Sequence, residues 1–274
     1  MQWPKTIFDF YVKASIHVSL AVVSFLYLTS CFLNIYIPKS LFFYVFFSTI
    51  PAYNFIKQSQ KGENQFLRLV LVDKKTLWLS LFSLGCAIYF GLQLGFNTLL
   101  GISILALLVI FYTIPLFPSR KNLRHFGILK ILIIGLVWTG TTVVLPVLEV
   151  LENLDWDVWI ESVQRFLVIL VLMVPFEIRD LSVDSNEMMT IPQRLGIDKT
   201  RRAGILMSLI FLLLTFLKDD LFPFEVYGKA LIATSLVALM LRLPKKQSRY
   251  FASFWVEALP IFWAGLLYLF IELL

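Results

Sequence analysis

Long uncharged apolar stretches alternate along this chain with shorter stretches that carry most of the charged residues. The first, Ala14–Pro38, contains no Asp, Glu, Lys or Arg and exceeds the about 20 residues that a helix needs to cross a bilayer. A second uncharged run, Thr76–Ser119, is too long for one crossing, and Gly91, Gly95 and Asn97 divide it into a helical hairpin. The pattern predicts nine membrane-spanning helices. They cover Ala14–Ile35, Leu41–Ile56, Leu77–Leu92, Phe96–Tyr112, Ile131–Leu148, Val163–Phe176, Gly204–Phe216, Tyr227–Leu241 and Phe251–Leu273.

The composition agrees with this pattern. Of the 274 residues, 59% are hydrophobic and only 15% are charged, whereas a soluble domain carries about 25% charged residues. The sequence contains no glycine-rich phosphate loop, nucleophile elbow or zinc-ligand spacing, and membrane topology explains its basic stretches without a nucleic-acid partner. We therefore expect an all-α membrane protein that forms one integral membrane domain over residues 1–274.

Lysine and arginine residues concentrate in every second loop. The loops after the second, fourth, sixth and eighth spans hold 18 of the 24 basic residues, whereas the loop after the fifth span is acidic. By the positive-inside rule, the amino terminus and the four basic loops are cytoplasmic and the carboxy terminus is outside. We expect a multi-pass protein of a bacterial inner membrane in that orientation. The acidic loop contains Glu149, Glu152, Asp155, Asp157 and Glu161.

Four carboxylates follow the sixth span at helical spacing. Glu177, Asp180, Asp184 and Glu187 are three, four and three residues apart, which places them within an arc of about 80° on one helix face. Such a stripe repels itself unless a cation, a proton or a basic partner lies among the acids. Because other cytoplasmic loops are rich in Lys and Arg, the sequence predicts a site for a diphosphate–magnesium complex.

Two segments resemble motifs of a known family. Residues 177–184 read Glu-Ile-Arg-Asp-Leu-Ser-Val-Asp, and residues 190–196 read Thr-Ile-Pro-Gln-Arg-Leu-Gly. Together they resemble the second aspartate-rich motif of the UbiA superfamily of intramembrane prenyltransferases, D-x-x-D-x-x-x-D followed by T-[LI]-P-x-x-[LI]-G. Residues 112–121, Tyr-Thr-Ile-Pro-Leu-Phe-Pro-Ser-Arg-Lys, resemble the Y-x-x-P…K-R segment that follows the fourth span in that family.

This resemblance implies a fold and a reaction. The fold is a bundle of nine transmembrane helices around a central cavity that opens to lipid. The reaction is a Mg²⁺-dependent transfer of a polyprenyl group from its diphosphate to a small, typically aromatic, acceptor. Metal and basic groups would stabilise the departing charge, and a dry cavity would protect the allylic cation from water.

The resemblance also assigns site residues. The carboxylates of Glu177, Asp180 and Asp184 would bind Mg²⁺ and serve catalysis. The predicted contacts of the substrate diphosphate are Lys57, Lys61, Lys121, Arg179 and Tyr112.

The first aspartate-rich motif of the family, N-D-x-x-D-x-x-x-D, is degenerate here. Asn54 is kept, but the three aspartate positions hold Phe55, Gln58 and Gly62. One of two metal sites is therefore expected to be weak or missing. Asn54 and Gln58 either cap backbone groups or supply neutral oxygen atoms to a metal. Lys57 and Lys61, four residues apart on one face, could contact the diphosphate directly and partly replace a lost cation.

Glu257 lies inside the ninth predicted span, where a carboxylate costs several kcal/mol unless it is protonated or paired. It either binds the acceptor or forms a hydrogen bond with a neighbouring helix. The degenerate first motif equally suits a relative that binds a lipid diphosphate without turning it over. A transporter is a third class, but the repeated halves with matching broken helices that are typical of transporters are not visible in this sequence.

Overall fold

This computed structural model describes residues 3–59, 73–114, 123, 127–151, 154–181 and 188–272. Two of its long helices contain π-helical segments, Gly140–Val144 and Phe251–Val256. The helices are α1 (Trp3–Lys13), α2 (Ile16–Phe32), α3 (Lys39–Ser59), α4 (Lys74–Gly91), α5 (Phe96–Thr113), α6 (Gly127–Val150), α7 (Trp156–Asp180), α8 (Ile191–Leu195), α9 (Ile197–Leu217), α10 (Glu225–Arg242) and α11 (Phe251–Glu272).

Helix α2 lies at the centre of the bundle. Its sequence is apolar on every side, which is typical of a helix surrounded by protein, and it packs against α3, α6 and α11. One hydrophobic core joins α2 to α7, α9, α10 and α11, and a second joins α2 to α3 and α6. Trp138 of α6 packs against both cores. The arrangement leaves space beside Trp138, between α3, α6 and α7, for the cavities described below.

The junction of α1 and α2 is sharply bent. The two helices meet at 57°, because Ser15 between them adopts a left-handed φ of 67°. Asn54 of α3 holds this bend in place. Its amide oxygen accepts a 2.8 Å hydrogen bond from the Ser15 hydroxyl, and its amide nitrogen donates to the Ala14 carbonyl at 3.2 Å.

Each of the nine predicted spans coincides with a helix. Among the described residues, five helices are long and apolar enough to cross a membrane, namely α5, α6, α7, α9 and α11, and the bent pair α1–α2 could form a sixth crossing. The protein is therefore an all-helical, multi-pass membrane protein. The full count of nine spans, the orientation of the termini and the bacterial inner membrane stay predictions.

Several charged residues lie inside helices rather than in loops. The sequence places Glu161 in the acidic loop, which is wrong, because Glu161 belongs to α7 and is 1% exposed. The sequence places Lys130 in a basic loop, but it belongs to α6 and is also buried. Helix α7 is correspondingly longer than the predicted span Val163–Phe176. The predicted spans leave Glu161 and Lys130 out because an unpaired charge is costly in a membrane, whereas both residues are paired inside the bundle.

Five of the buried charges form a network at the end of α7 remote from Asp180. Glu161 accepts hydrogen bonds from Arg165 at 3.0 Å and from Lys229 of α10 at 2.8 Å. Lys229 also lies 2.7 Å from Glu225, and Glu225 lies 2.8 Å from Lys218. Arg165 additionally donates to backbone and hydroxyl oxygens of α2. The network therefore fixes α7 and α10 to each other and to the central helix.

Helices α4 and α5 are joined by four residues, yet they have little direct contact. Helix α4 packs along α3, whereas α5 packs against α6. The turn between them is held by Glu149 of α6, whose carboxylate accepts a 3.0 Å hydrogen bond from the Gly95 backbone N–H. The apolar cavity described below lies between α3, α5 and α6.

Candidate functional site

The last turn of α7 carries two of the predicted carboxylates. Glu177 and Asp180 are three residues apart and lie on the same helix face. Helix α7 ends at Asp180, so it carries only the first two of the four carboxylates that the sequence placed on one helix face. Asp184 and Glu187 lie outside the described residues.

Residues 190–196, the second part of the UbiA-like motif, form the short helix α8 and its two ends. Thr190 caps the short helix α8, and its backbone N–H donates a 2.9 Å hydrogen bond to the Gln193 side chain. Gly196 ends α8 with a φ of 79°, a conformation that favours glycine. These residues turn the chain from α7 into α9.

Gly127 brings the start of α6 against this segment. A Cβ atom at Gly127 would lie 2.3 Å from the Met188 carbonyl oxygen and 2.4 Å from that of Met189. Only a glycine permits this approach of the two backbones. Lys130, one turn further along α6, is thereby placed next to the end of α7.

A cavity of about 190 Å³ lies beside these residues, and we call it the polar cavity because six charged side chains reach its otherwise mainly apolar wall. Its walls come from α3, α5, α6, α7 and α11. Charged side chains at its wall include three bases and three acids. They are Lys57, Lys130, Arg179, Glu177, Asp180 and Glu257.

Two of the carboxylates have a basic partner within ion-pair distance. The Lys130 ammonium lies 2.7 Å from Glu177 Oε1, and both side chains are buried. Arg179 donates two hydrogen bonds to its neighbour Asp180, of 2.7 and 3.1 Å. The Asp180 side chain keeps 26% of its surface exposed, so it is accessible from the cavity. Opposite charges from α6 and α7 therefore neutralise each other at this wall.

Lys57 approaches the cavity from α3. Its ammonium donates a 2.9 Å hydrogen bond to the Ser15 hydroxyl at the bend between α1 and α2. Glu257 of α11 lies on the same cavity, and the charges that act on it are those of Lys57 and Arg179. Basic side chains from three helices, α3, α6 and α7, thus converge on one small space.

An apolar cavity of about 330 Å³ adjoins the polar one. Helices α3, α5 and α6 form its walls, with Val22 of α2 at one side. Its α5 wall includes Ala106 and Ile110, both of which are exposed on the lipid-facing surface. The two cavities have five lining residues in common, which are Tyr53, Ile56, Tyr112, Ile134 and Trp138.

Aromatic side chains mark the boundary between the cavities. The Trp138 indole N–H donates a 2.6 Å hydrogen bond to the Tyr53 hydroxyl, and their rings meet edge to face. Tyr112 is buried at the same boundary. A ligand with a charged head and an apolar chain would pass between these rings, with its head towards α7 and its chain towards α5.

The structure brings together six of the residues that the sequence singled out. Lys57, Tyr112, Glu177, Arg179, Asp180 and Glu257 all line the polar cavity. Asn54 does not line it, because its amide is bonded to Ser15, Ala14 and Ser80. Gln58 lies on α3 outside the cavity lining as well. The remaining predicted residues, Lys61, Lys121 and Asp184, lie outside the described residues.

Sequence reasoning missed Lys130. The signal was present, since this lysine stands in the apolar run Gly-Ile-Leu-Lys-Ile-Leu-Ile-Ile, where an unpaired ammonium would be costly. The run predicts a buried cation that needs an acid. It does not predict which acid, because Glu177 is distant in sequence.

The described residues fit a metal ion only in part. No group of three His, Cys, Asp or Glu side chains in the described ranges could by itself hold a metal ion. Mg²⁺ commonly takes one or two protein carboxylates together with substrate phosphates, and Glu177 and Asp180 offer that number. Between residues 39 and 59, α3 presents Lys57 rather than a carboxylate to the cavity. The residues thus fit one cation shared with a phosphate-bearing ligand.

Comparison with solved structures identifies the fold. The chain superposes on digeranylgeranylglyceryl phosphate synthase, a UbiA-superfamily intramembrane prenyltransferase, with a TM-score of 0.54 and 17% sequence identity. The match covers 97% of this chain and 95% of that one. No protein-family model and no curated protein sequence matches the chain. The resemblance to the UbiA superfamily predicted from the motifs is thereby confirmed at the level of the fold.

Proposed function

We propose that this protein transfers a polyprenyl group from its diphosphate to a small, typically aromatic, acceptor within the membrane. One observation carries the proposal: a cavity lined by three bases adjoins an apolar cavity that reaches the lipid-facing surface. A prenyl diphosphate has the same two parts in the same order. The fold shared with an intramembrane prenyltransferase supports this assignment.

In this proposal the basic side chains hold the diphosphate. Lys57, Lys130 and Arg179 reach the polar cavity from three different helices. Charge-assisted hydrogen bonds from such groups to phosphate oxygens are the strong ones. Because the bases are fixed in place, they stabilise the negative charge that accumulates on the diphosphate as its bond to the prenyl carbon breaks.

The same cavity supports a role for Mg²⁺. Asp180, with Asp184 beyond the described residues, would hold the ion, and Glu177 is a further candidate ligand. When bound, Mg²⁺ would neutralise charge on the leaving diphosphate. Binding of the diphosphate to Lys130 and Arg179 would at the same time compete with their present partners, Glu177 and Asp180.

The apolar cavity would hold the prenyl chain. Its lining is mainly apolar, which disfavours water beside an allylic cation that water would otherwise capture. The rings of Tyr53 and Trp138 lie where the first carbon of the chain would enter. Their faces could stabilise positive charge at that carbon.

Binding of a donor tests the proposal. Because the structural neighbour is a synthase of a digeranylgeranylglyceryl phosphate, geranylgeranyl diphosphate is the first donor to measure, with detergent-purified protein in Mg²⁺ and in EDTA. We expect Asp180→Asn to weaken Mg²⁺-dependent binding by at least about tenfold. The matched control is Asp198→Asn, since Asp198 is exposed and lies outside the cavity. Absence of donor binding by the wild type would overturn the proposal.

A second candidate is a UbiA-like protein that binds a lipid diphosphate without turning it over. The ion pair between Lys130 and Glu177 and the lack of a carboxylate from α3 in the cavity favour it. Release of diphosphate from bound donor separates the two candidates. Release in the presence of phenolic or alcoholic acceptors supports the transferase, whereas tight binding with no release across those acceptors supports the silent protein.

A further inference from the structure

Glu257 differs from the other two carboxylates of the polar cavity. It follows the π-helical segment Phe251–Val256 of α11 and is half-buried at the cavity wall. Among the described residues, no side chain lies within hydrogen-bond or ion-pair distance of its carboxylate, whereas Glu177 and Asp180 each have such a base. A carboxylate inside a membrane protein is costly without a partner. The described part of the chain therefore leaves this carboxylate without a hydrogen-bonded or ion-paired side chain.

Glu257 shares the lining of the polar cavity with residues of α3 and α7. Lys57 and Tyr53 of α3 and Arg179 of α7 line the cavity together with it, and the positive charges of Lys57 and Arg179 act on its carboxylate. Tyr53 stands at the boundary between the two cavities. Glu257 is thus placed near the point where the reacting end of a bound prenyl chain would lie. Single-turn π-helical segments such as the one before it frequently occur at functional sites.

We propose that Glu257 is the catalytic residue that receives the proton of the acceptor, and that the acceptor is consequently a hydroxyl compound. This inference rests on the proposed prenyl transfer and specifies its second substrate. The acceptor hydroxyl donates its hydrogen bond to the Glu257 carboxylate. Glu177 and Asp180 are less suited to accept this proton, because each already forms an ion pair with a base.

Proton transfer to Glu257 accompanies cleavage of the donor. The bond between the first prenyl carbon and the diphosphate oxygen breaks, and its electron pair leaves with the diphosphate. The hydroxyl proton passes to Glu257, and the hydroxyl oxygen forms the new bond to the prenyl carbon. For a phenol that reacts on its ring, the electron pair released at oxygen enters the ring, a ring carbon forms the bond, and the ring hydrogen then moves to the oxygen.

Paired probes that differ only in the hydroxyl hydrogen test this role. Phenol and its methyl ether, anisole, are titrated into protein loaded with Mg²⁺ and geranylgeranyl thiolodiphosphate, a slow-reacting donor. We expect the wild type to bind phenol at least about tenfold more tightly than anisole, as a hydrogen bond to a charged group predicts. In Glu257→Leu the preference should vanish, and in Glu257→Gln it should shrink.

The control is Glu272→Gln, an exposed glutamate near the end of the same helix, which should keep the full preference. Equal affinity for the two probes in the wild type, or an unchanged preference in both Glu257 variants, would overturn the inference. Donor binding is measured in each preparation. If the wild type does not bind the donor, the proposed function is contradicted. If it binds the donor but binds phenol no more tightly than anisole, only the role of Glu257 is contradicted.

Turnover gives a second readout. With a hydroxyl acceptor that the wild type uses, Glu257→Gln should lower kcat by about a hundredfold or more, as expected for loss of a general base. Its KM for the donor should change little. The increase of rate with pH that reports deprotonation of the base should disappear. A glutamate that only supported packing would leave the shape of the pH profile unchanged, and that result would count against the proposal.

Discussion

Asn54 is a residue whose motif position and structural environment point to different roles. In the first aspartate-rich motif of the UbiA superfamily, the matching asparagine directly precedes a metal-binding aspartate. In this structure the Asn54 amide is buried and bonded to Ser15, Ala14 and Ser80. Its bonds to Ser15 and Ala14 support the bend between α1 and α2, and its bond to Ser80 ties α3 to α4. The same bend supplies the Ser15 hydroxyl that holds the Lys57 ammonium. Asn54 therefore acts on the cavity through the position of Lys57.

Replacing Asn54 separates these roles. We expect Asn54→Ala to lower the free energy of unfolding by about 1–3 kcal/mol, because it leaves buried polar groups without a partner. The dependence of donor binding on Mg²⁺ concentration should be unchanged. Asn97→Ala, at an exposed position on α5, is the control. A shifted Mg²⁺ dependence with unchanged stability would show that Asn54 is a metal ligand instead.

The sequence predicted which side chains form the site better than it predicted which of them pair with each other. Family-like motifs identified Glu177, Arg179 and Asp180, and the degenerate first motif, with Lys57 and Lys61 four residues apart, identified Lys57. What the sequence could not give is the pairing of Lys130 with Glu177, since α6 and α7 meet through packing that no local pattern encodes. The role of Asn54 was likewise left open, because a cap and a metal ligand use the same amide oxygen.

At the scale of elements, the helix ends depended on charges that the sequence appeared to place in water. Glu161 lies in α7 before the predicted start at Val163, and it is buried beside Arg165. Apolar periodicity predicts the middle of such a helix well. It fails at the ends because burial of a charge depends on partners in other helices, here Lys229 of α10.

Lys229 joins the two buried carboxylates of that network. Its ammonium contacts Glu161, Glu225 and the Gln164 side chain. We expect Lys229→Met to destabilise the protein by about 3–5 kcal/mol, since it leaves buried carboxylates without this cation. Equilibrium unfolding in mixed detergent–SDS micelles measures the change.

The matched control is Lys39→Met, because Lys39 is exposed at the start of α3. It should shift the unfolding free energy by less than about 0.5 kcal/mol. A similarly small shift for Lys229→Met would mean that the network contributes little to holding α7 and α10 together.

At the scale of the whole molecule, the arrangement of the helices creates the two cavities. Helix α4 packs along α3 and α5 packs along α6, so the apolar cavity lies between two helix pairs and reaches the lipid-facing side. Alternating apolar and basic stretches predicted the helices, and the motifs predicted the fold. The separation of α4 from α5 could not be predicted, because it depends on contacts such as that of Glu149 with Gly95.

Filling the apolar cavity should distinguish chain binding from head binding. Ala106 lines this cavity on α5, whereas Ser103, one turn away, does not. We expect Ala106→Phe to weaken binding of geranylgeranyl diphosphate by at least about tenfold, since the added ring takes space that the chain needs. Binding of inorganic diphosphate should be unchanged. Ser103→Phe, the control, should alter neither, and equal effects of both variants would contradict the assignment of the cavity.

Photoaffinity labelling tests the central claim most directly. Wild-type protein in Mg²⁺ is irradiated with a geranylgeranyl diphosphate analogue that carries a diazirine at the far end of its chain, and the labelled residues are identified by mass spectrometry. We expect labels on the walls of the apolar cavity, at residues such as Ile102, Leu105 and Val109, that disappear with excess unlabelled donor. Labels confined to lipid-facing residues such as Trp255, or labels that excess donor does not remove, would contradict it.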